Sequence, residues 1–155
     1  MTDFYKKYRI EILIFFVALL ARFILFAINF EHNNFSLIST IHGDDGYYEI
    51  SQGILAGNGF TGDVLPPHRP NPLRPPVWPF LIAFLAKVFG SYWAVATFEL
   101  IIGSLIPVLG YMITKNIFNI PKVSIGTGIL MAFEPYSILL SSLLYSETIF
   151  TPITS

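Results

Sequence analysis

The chain has 155 residues, of which 54% are hydrophobic and 12% are charged, and its formal net charge is -1. So few charged residues would not cover a soluble domain of this length, and the apolar residues lie in long runs, so the composition predicts a membrane protein. The near-neutral charge and the lack of a basic stripe argue against a nucleic-acid partner, while the absence of cysteine excludes disulfides and thiolate metal sites.

The first long apolar run covers about residues 10–30 and follows the basic residues Lys6, Lys7 and Arg9. About 21 helical residues reach roughly 31 Å, which is enough to cross the hydrocarbon core of a bilayer. A secretory signal peptide also has a basic start, but its apolar region is shorter and a small-x-small cleavage site follows it. Because no such site follows here, we predict a retained transmembrane helix.

A long loop over residues 31–91 is predicted next, polar in its first part and rich in proline before residue 80. The hydrophobic spacing in 45–56 is typical of a short amphipathic helix. Residues 77–89 are apolar nearly all round, but a helix of that length reaches only about 20 Å. We therefore predict two juxtamembrane helices in this loop, the second of them interfacial or re-entrant.

Two further transmembrane spans are predicted at about 92–114 and 123–145, which makes the fold an all-α integral membrane protein with about three spans. Lys115 and Lys122 bracket the loop between these spans. The positive-inside rule places them, with the basic N-terminus, in the cytoplasm, so the loop 31–91 faces outward from a cell (inner) membrane. A fresh apolar stretch starts near the end of the chain, and we expect the sequence to be the N-terminal piece of a longer protein.

An acidic pair, Asp44-Asp45, lies early in the outer loop. Adjacent carboxylates at a membrane surface can act as a general base, position a substrate hydroxyl or bind a divalent cation such as Mg²⁺ or Mn²⁺. Two carboxylates alone do not make a metal site, so metal dependence stays open. The alternative interpretation is a helix N-cap, where aspartate is a favoured residue.

Basic residues lie close to prolines later in the same loop, namely His68, Arg69 and Arg74. The planar guanidinium of an arginine held beside the bilayer is suited to binding a lipid phosphate. The alternative is ordinary attraction to lipid headgroups. Together, the acidic and basic motifs predict a site that binds a lipid phosphate and deprotonates an acceptor.

Four other ionisable residues lie within or next to the apolar segments. Arg22, Glu99 and Glu134 fall inside the predicted spans, where charges are costly and are usually paired or functional. We expect Arg22 to pair with Glu99 or Glu134 in a structural role. Glu147 begins the last apolar stretch, and it either caps the next helix or adds a carboxylate to the outer site.

The order of these motifs resembles the N-terminal part of the GT-C glycosyltransferases, in particular the dolichyl-phosphate-mannose protein mannosyltransferases and the bacterial aminoarabinose transferase. The resemblance rests on Gly-Asp-Asp-Gly-Tyr-Tyr at 43–48, Gly-Asn-Gly-Phe at 57–60 and Arg-Pro-Pro-Val-Trp-Pro at 74–79. Pro135 and the pair at 146–147 match the family less specifically. The ordered series, which covers nearly all of the chain, is more specific than any single motif.

The resemblance implies transfer of a sugar from a membrane-embedded polyprenyl-phosphate donor to a lipid, glycan or protein acceptor on the outer face. It implies that Asp44 is the base for the acceptor and that Arg74 lies near the donor phosphate, whereas Asp45 stands where glutamate is common. Family members are much longer, so this chain alone is expected to be inactive. A non-enzymatic membrane scaffold and a transporter fragment are the alternatives.

Overall fold

Seven α-helices and no β-strand make up the part of the chain that the structure, a computed structural model, describes: residues 8–43, 45–63 and 65–144. The helices are α1 (Arg9–His32), α2 (Leu37–Ile41), α3 (Tyr47–Leu55), α4 (Val77–Phe89), α5 (Trp93–Phe118), α6 (Pro121–Ala132) and α7 (Pro135–Leu140). The all-helical prediction is therefore confirmed for these residues.

Two of the helices, α1 and α5, are long and apolar enough to cross a membrane, as judged by length and composition. Their 24 and 26 residues correspond to helices of about 36 and 39 Å. α5 continues past an internal proline, Pro107, and ends at Asn119, whose positive φ of 51° stops the helix. The sequence placed helices in both regions.

The two longest helices, α1 and α5, run in opposite directions. At one end of the bundle, the Lys115 Nζ atom on α5 lies 3.1 Å from Oε1 of Glu11 on α1. At the other end, the ring of Trp93 packs edge-on against Phe26, so α1 and α5 are antiparallel. An added Cβ at Gly128 of α6 would lie 2.7 Å from Ile14 of α1, which shows how closely these helices approach.

The region predicted as a single third span, 123–145, forms two helices in the described residues. α6 ends at Ala132 and α7 begins at Pro135, because proline has no N–H to donate to the preceding turn and disfavours the α conformation at Glu134. Beyond α7, the backbone N–H of Leu144 donates to the carbonyl of Ile41 at 2.9 Å. The segment from α6 to residue 144 therefore runs back to the end of the bundle where α2 lies.

The outward side of α1 is apolar and uncovered. Six of its large hydrophobic side chains are half or more exposed: Leu13, Phe16, Leu20, Phe23, Ile24 and Ile28. A core helix of a soluble protein would bury such residues against other elements. This surface of α1 is therefore suited to an apolar environment.

A hydrophobic cluster joins the loop helices to the ends of α1 and α5. It consists of Phe26, Ile41, Tyr47, Trp78, Ile82, Ala86, Val95, Ala96, Leu100 and Leu144. Trp78 is its largest member, and its indole N–H donates to the Leu144 carbonyl at 3.2 Å. We call α2, α3 and α4, together with the described loop residues that join them, the cap, and it holds every described residue of the predicted outer site.

Candidate functional site

The acidic motif lies at the start of α3. Gly46 precedes this helix with a positive φ of 78°, and the backbone N–H of Tyr47 points to Oδ1 of Asp45 at 3.4 Å. Asp45 does not occupy the N-cap position of α3, which Gly46 holds without a side-chain cap, so the N-cap interpretation is not met at this residue. Its second oxygen, Oδ2, is buried within the protein. The other predicted acidic residues, Asp44 and Glu147, lie outside the described residues.

Arg74 lies close to the acidic motif because it stacks on the ring of Tyr47. Its guanidinium carbon lies 5.5 Å from the centroid of the Tyr47 ring, which is a cation–π distance. Tyr47 is buried in the cap and comes two residues after Asp45. Two motifs that are about 30 residues apart in the sequence are thus neighbours, because α3 and α4 pack on each other.

His68 and Arg69 are organised around a different residue, Asp63. Nδ1 of the His68 ring lies 3.1 Å from the Asp63 carbonyl, and the backbone N–H of Arg69 donates to Oδ2 of Asp63 at 3.0 Å. The Arg69 side chain is exposed, whereas that of Arg74 is half-buried. The three predicted phosphate-binding residues therefore occupy two places rather than one.

A shallow groove of about 410 Å³ lies between the start of α3 and the loop that follows it. Its lining residues are Gly46, Glu49, Gly62, Asp63, Arg69, Pro70, Asn71, Pro72 and Leu73. Arg69 and Glu49 thus line one groove beside the acidic motif. Glu49 was not among the residues that the sequence singled out.

The sequence also did not indicate the partner of Glu49. Nε2 of His42 lies 2.6 Å from Oε1 of Glu49, and the His42 ring packs edge-on against Tyr48. His42 ends the short helix α2, and Glu49 lies in the first turn of α3. The two residues lie on either side of the acidic motif in the sequence. This closeness in sequence was the one signal that could have indicated the pair. The contact itself depends on the turn at Gly46.

A hydrogen-bonded group of side chains fastens α3 to the start of α5. The Tyr92 hydroxyl accepts from Nε2 of Gln52 at 2.8 Å and lies 3.1 Å from the Ser51 hydroxyl. The Tyr48 and Tyr92 rings are 5.1 Å apart. These contacts fix the orientation of α3, which carries Tyr47 and Glu49, relative to the start of α5.

The expected ion pair of Arg22 is not formed among the described residues, where the salt bridges are those of His42 and Lys115. Arg22 is fully buried, and its Nη2 donates to the hydroxyl of Ser137 at 2.9 Å. Glu134 instead caps α7, where its carboxylate accepts from the backbone N–H groups of residues 136 and 137. The prediction of a direct pair was wrong because the break before Pro135 gives Glu134 two N–H donors of its own.

Glu99 is the most isolated of these groups. Its side chain is 1% exposed, and neither of its carboxylate oxygens has a hydrogen-bond partner within the described residues. Asp45 is near enough to interact electrostatically with it. A buried carboxylate in a helix long enough to cross a membrane is a candidate functional residue.

Metal binding is not decided by these contacts. In the part of the chain that the structure describes, no group of three or more histidine, aspartate or glutamate side chains is arranged to hold a metal ion. Asp44, half of the predicted Mg²⁺ or Mn²⁺ site, is not among those residues.

Comparison with known protein families, curated proteins and solved structures finds no match for this chain. Its function must therefore be argued from its own residues.

Proposed function

We propose that this chain is part of a GT-C-type membrane glycosyltransferase, which transfers a sugar from a polyprenyl-phosphate donor to an acceptor on the outer face. The observation that carries the proposal is the stacking of Arg74 on Tyr47, at 5.5 Å, next to Asp45. A cation that can bind a phosphate and a carboxylate that can accept a proton are what this reaction requires. The resemblance of the motifs supports the same reaction.

Membrane insertion is supported by the exposed apolar face of α1 and by the length of α1 and α5. A third crossing, in two pieces, is supported by the return of α6 and α7 to the end where Leu144 meets Ile41. The Glu11–Lys115 contact sets the start of α1 and the end of α5 on one side. With the positive-inside rule, that side is cytoplasmic and the cap faces outward.

The prenyl chain of the donor has a suitable surface beside the cap. A groove of about 440 Å³ between α1 and α5 is lined by apolar side chains, with Phe26 and Trp93 at its cap end. Phe26 belongs to the hydrophobic cluster that also contains Tyr47, and Trp93 packs against Phe26. A lipid chain in this groove would bring its phosphate to the level of the cap.

In the proposed reaction, the acceptor oxygen forms a bond to the anomeric carbon of the sugar while the bond from that carbon to the phosphate oxygen breaks. Asp44 takes the proton of the acceptor hydroxyl, and Arg74 stabilises the negative charge that the leaving lipid phosphate acquires. The backbone N–H of Tyr47 points to Oδ1 of Asp45, so Asp45 helps to hold the start of α3. Lipid, glycan and protein acceptors are all compatible with this scheme.

The test is sugar transfer from a radiolabelled polyprenyl-phosphate donor pool in membranes that contain the complete gene product. We expect Arg74→Ala and Asp44→Asn to lower the rate by about 100-fold or more, as removal of a charge-stabilising group does. Lys87→Ala is the matched control, since Lys87 is an exposed basic residue at the end of α4. Equal losses in the Arg74 and Lys87 variants would mean that basic residues act here only through lipid headgroups. Full activity in both Arg74→Ala and Asp44→Asn would overturn the proposal.

A transporter fragment is the second candidate, and Glu99 is the observation that favours it. A buried carboxylate without a partner inside a span is typical of ion and proton pathways. If the protein is a transporter, Glu99→Gln abolishes ion-coupled uptake in vesicles. If the protein is a transferase, neither the parent nor the Glu99→Gln variant shows ion-coupled uptake.

A further inference from the structure

We infer that the groove lined by α3, Gly62, Asp63 and residues 69–73 is a binding site for a neutral polyhydroxyl ligand, of the carbohydrate class, and that Glu49 is its main hydrogen-bond acceptor. The inference rests on the proposed function only for the role of this ligand, which would be the sugar acceptor. The binding itself stands on the groove, and it can be measured without any donor.

The groove has room for a sugar and walls that suit one. Its volume of about 410 Å³ falls in the range of small-molecule sites. Its lining combines polar groups from Glu49, Asp63, Asn71 and Arg69 with two prolines and two glycines. An added Cβ at Gly62 would contact Glu49 Cβ at 3.6 Å, so the groove stays open next to Glu49 because residue 62 has no side chain.

The charges in the groove select the class of ligand. A phosphate would face the carboxylates of Glu49 and Asp63, and a simple cation would face the guanidinium of Arg69. Carboxylates accept hydrogen bonds and a guanidinium donates them. Neighbouring hydroxyl groups of a neutral sugar supply both donors and acceptors, so they satisfy both kinds of side chain at once.

One hydrogen-bonding atom at the groove lacks a partner. Oε2 of Glu49 is buried and has no donor among the described residues, and it lies 4.0 Å from the Cβ position of Gly46. A buried carboxylate oxygen without a donor is costly. A rotation of the Glu49 carboxylate, whose side chain is 33% exposed, turns this oxygen toward the groove, where a ligand hydroxyl supplies the donor.

His42 holds Glu49 in place. Its Nε2 atom binds Oε1 of Glu49 at 2.6 Å, which leaves Oε2 as the oxygen for the ligand. The His42 ring is itself fixed edge-on against Tyr48. His42 is therefore a positioning residue, and it acts through Glu49 rather than on the ligand.

The other wall of the groove is held by its own hydrogen bonds. The backbone N–H of Asn71 donates to the Phe60 carbonyl at 2.9 Å, which closes the loop. Inside it, Asp63 accepts from the backbone of Arg69, and the Asn71 side chain accepts from the backbone of Leu73. Because these bonds use backbone donors, the guanidinium of Arg69 and the amide NH₂ of Asn71 stay available to a ligand.

Arg74 provides the internal contrast. It stacks on Tyr47 and is not among the residues that line the groove. A substitution there removes the proposed phosphate contact and leaves the groove intact. The two proposals can therefore fail separately.

Saturation-transfer NMR on the detergent-purified full chain provides the test, with mannose, galactose and N-acetylglucosamine as probes and inorganic phosphate as the anionic comparator. We expect at least one sugar to bind and to bind about tenfold more weakly to Glu49→Gln. Gly62→Val adds side-chain atoms to the groove next to Glu49, and it should abolish the signal. Arg74→Ala should bind the sugar as the parent does, and His42→Gln should weaken binding less than Glu49→Gln.

Three results would overturn the inference: no sugar bound by the folded parent, sugar binding unchanged in both Glu49→Gln and Gly62→Val, or phosphate bound in place of sugar and lost in Arg69→Ala. Sugar binding in a protein that transfers no sugar would refute the proposed function and leave the groove assignment standing. If the protein transfers sugar and the KM for the acceptor is unchanged in both groove variants, the groove assignment is refuted and the proposed function stands.

Discussion

Gly46 and Gly53 decide, at the scale of single residues, how α3 presents the site. Gly46 adopts a positive φ of 78°, which directs the chain from Asp45 into the helix and lets His42 reach Glu49. Gly53 lies on the buried face of α3, where an added Cβ would overlap the backbone carbonyl oxygen of Thr61. The helix and the groove loop are therefore in backbone contact at Gly53.

Gly53→Ala should destabilise the protein by about 1–3 kcal/mol, because the carbonyl of Thr61 cannot move aside as a flexible side chain would. Helix propensity alone predicts the opposite sign, a gain of about 1 kcal/mol. The matched control is Gly126→Ala in α6, where nothing lies within 4 Å of the added Cβ and the propensity gain should appear. Thermal unfolding followed by the fluorescence of the buried Trp78 measures both. Equal shifts in the two variants would contradict the close contact.

The long helices show, at the scale of elements, what a sequence can and cannot reveal. α1, α4 and α5 follow from apolar runs, because the length of such a run is a local property. The break between α6 and α7 does not, since Pro135 lies inside one continuous apolar run and proline is tolerated in many membrane helices. What settles the break is that the Glu134 carboxylate caps the second helix.

Glu134→Ala should remove that cap and lower stability by about 1 kcal/mol. The Glu134 carboxylate accepts from the backbone N–H groups of Tyr136 and Ser137, and an alanine leaves both without that acceptor. Glu134→Asp keeps a carboxylate at a position that favours aspartate, so it should retain most of the stability. Melting temperatures in one detergent compare the three proteins. An alanine variant as stable as the parent would mean that water or lipid groups replace the cap.

At the scale of the whole molecule, the sequence predicted that an acidic motif and an arginine motif would lie on one side of the membrane. It could not predict which of the basic residues would meet the acidic motif, because that depends on how α3 packs on α4. Arg74 reaches Tyr47, whereas Arg69 is held around Asp63. The His42–Glu49 pair was missed for the same reason, since it joins two short helices across a turn.

The proposed orientation can be tested because the chain has no cysteine of its own. Asn58→Cys places a single thiol on the exposed part of the cap, and Lys122→Cys places one at the start of α6. A membrane-impermeant maleimide should label the first in intact cells and the second only after the membrane is opened. If only Lys122→Cys is labelled in intact cells, the topology is the reverse of the one proposed. Labelling of both would mean that the chain does not span the membrane as proposed.

The bond between Trp78 and Leu144 has a consequence for how the protein is made. The two residues are 66 positions apart, and Leu144 also binds the backbone of Ile41. At roughly 5–20 residues per second, a ribosome needs several seconds to extend the chain from Trp78 to Leu144. During that time the apolar faces of α2 and α4 have already emerged and have no Leu144 to close against. The cap is therefore completed only after Leu144 has been made.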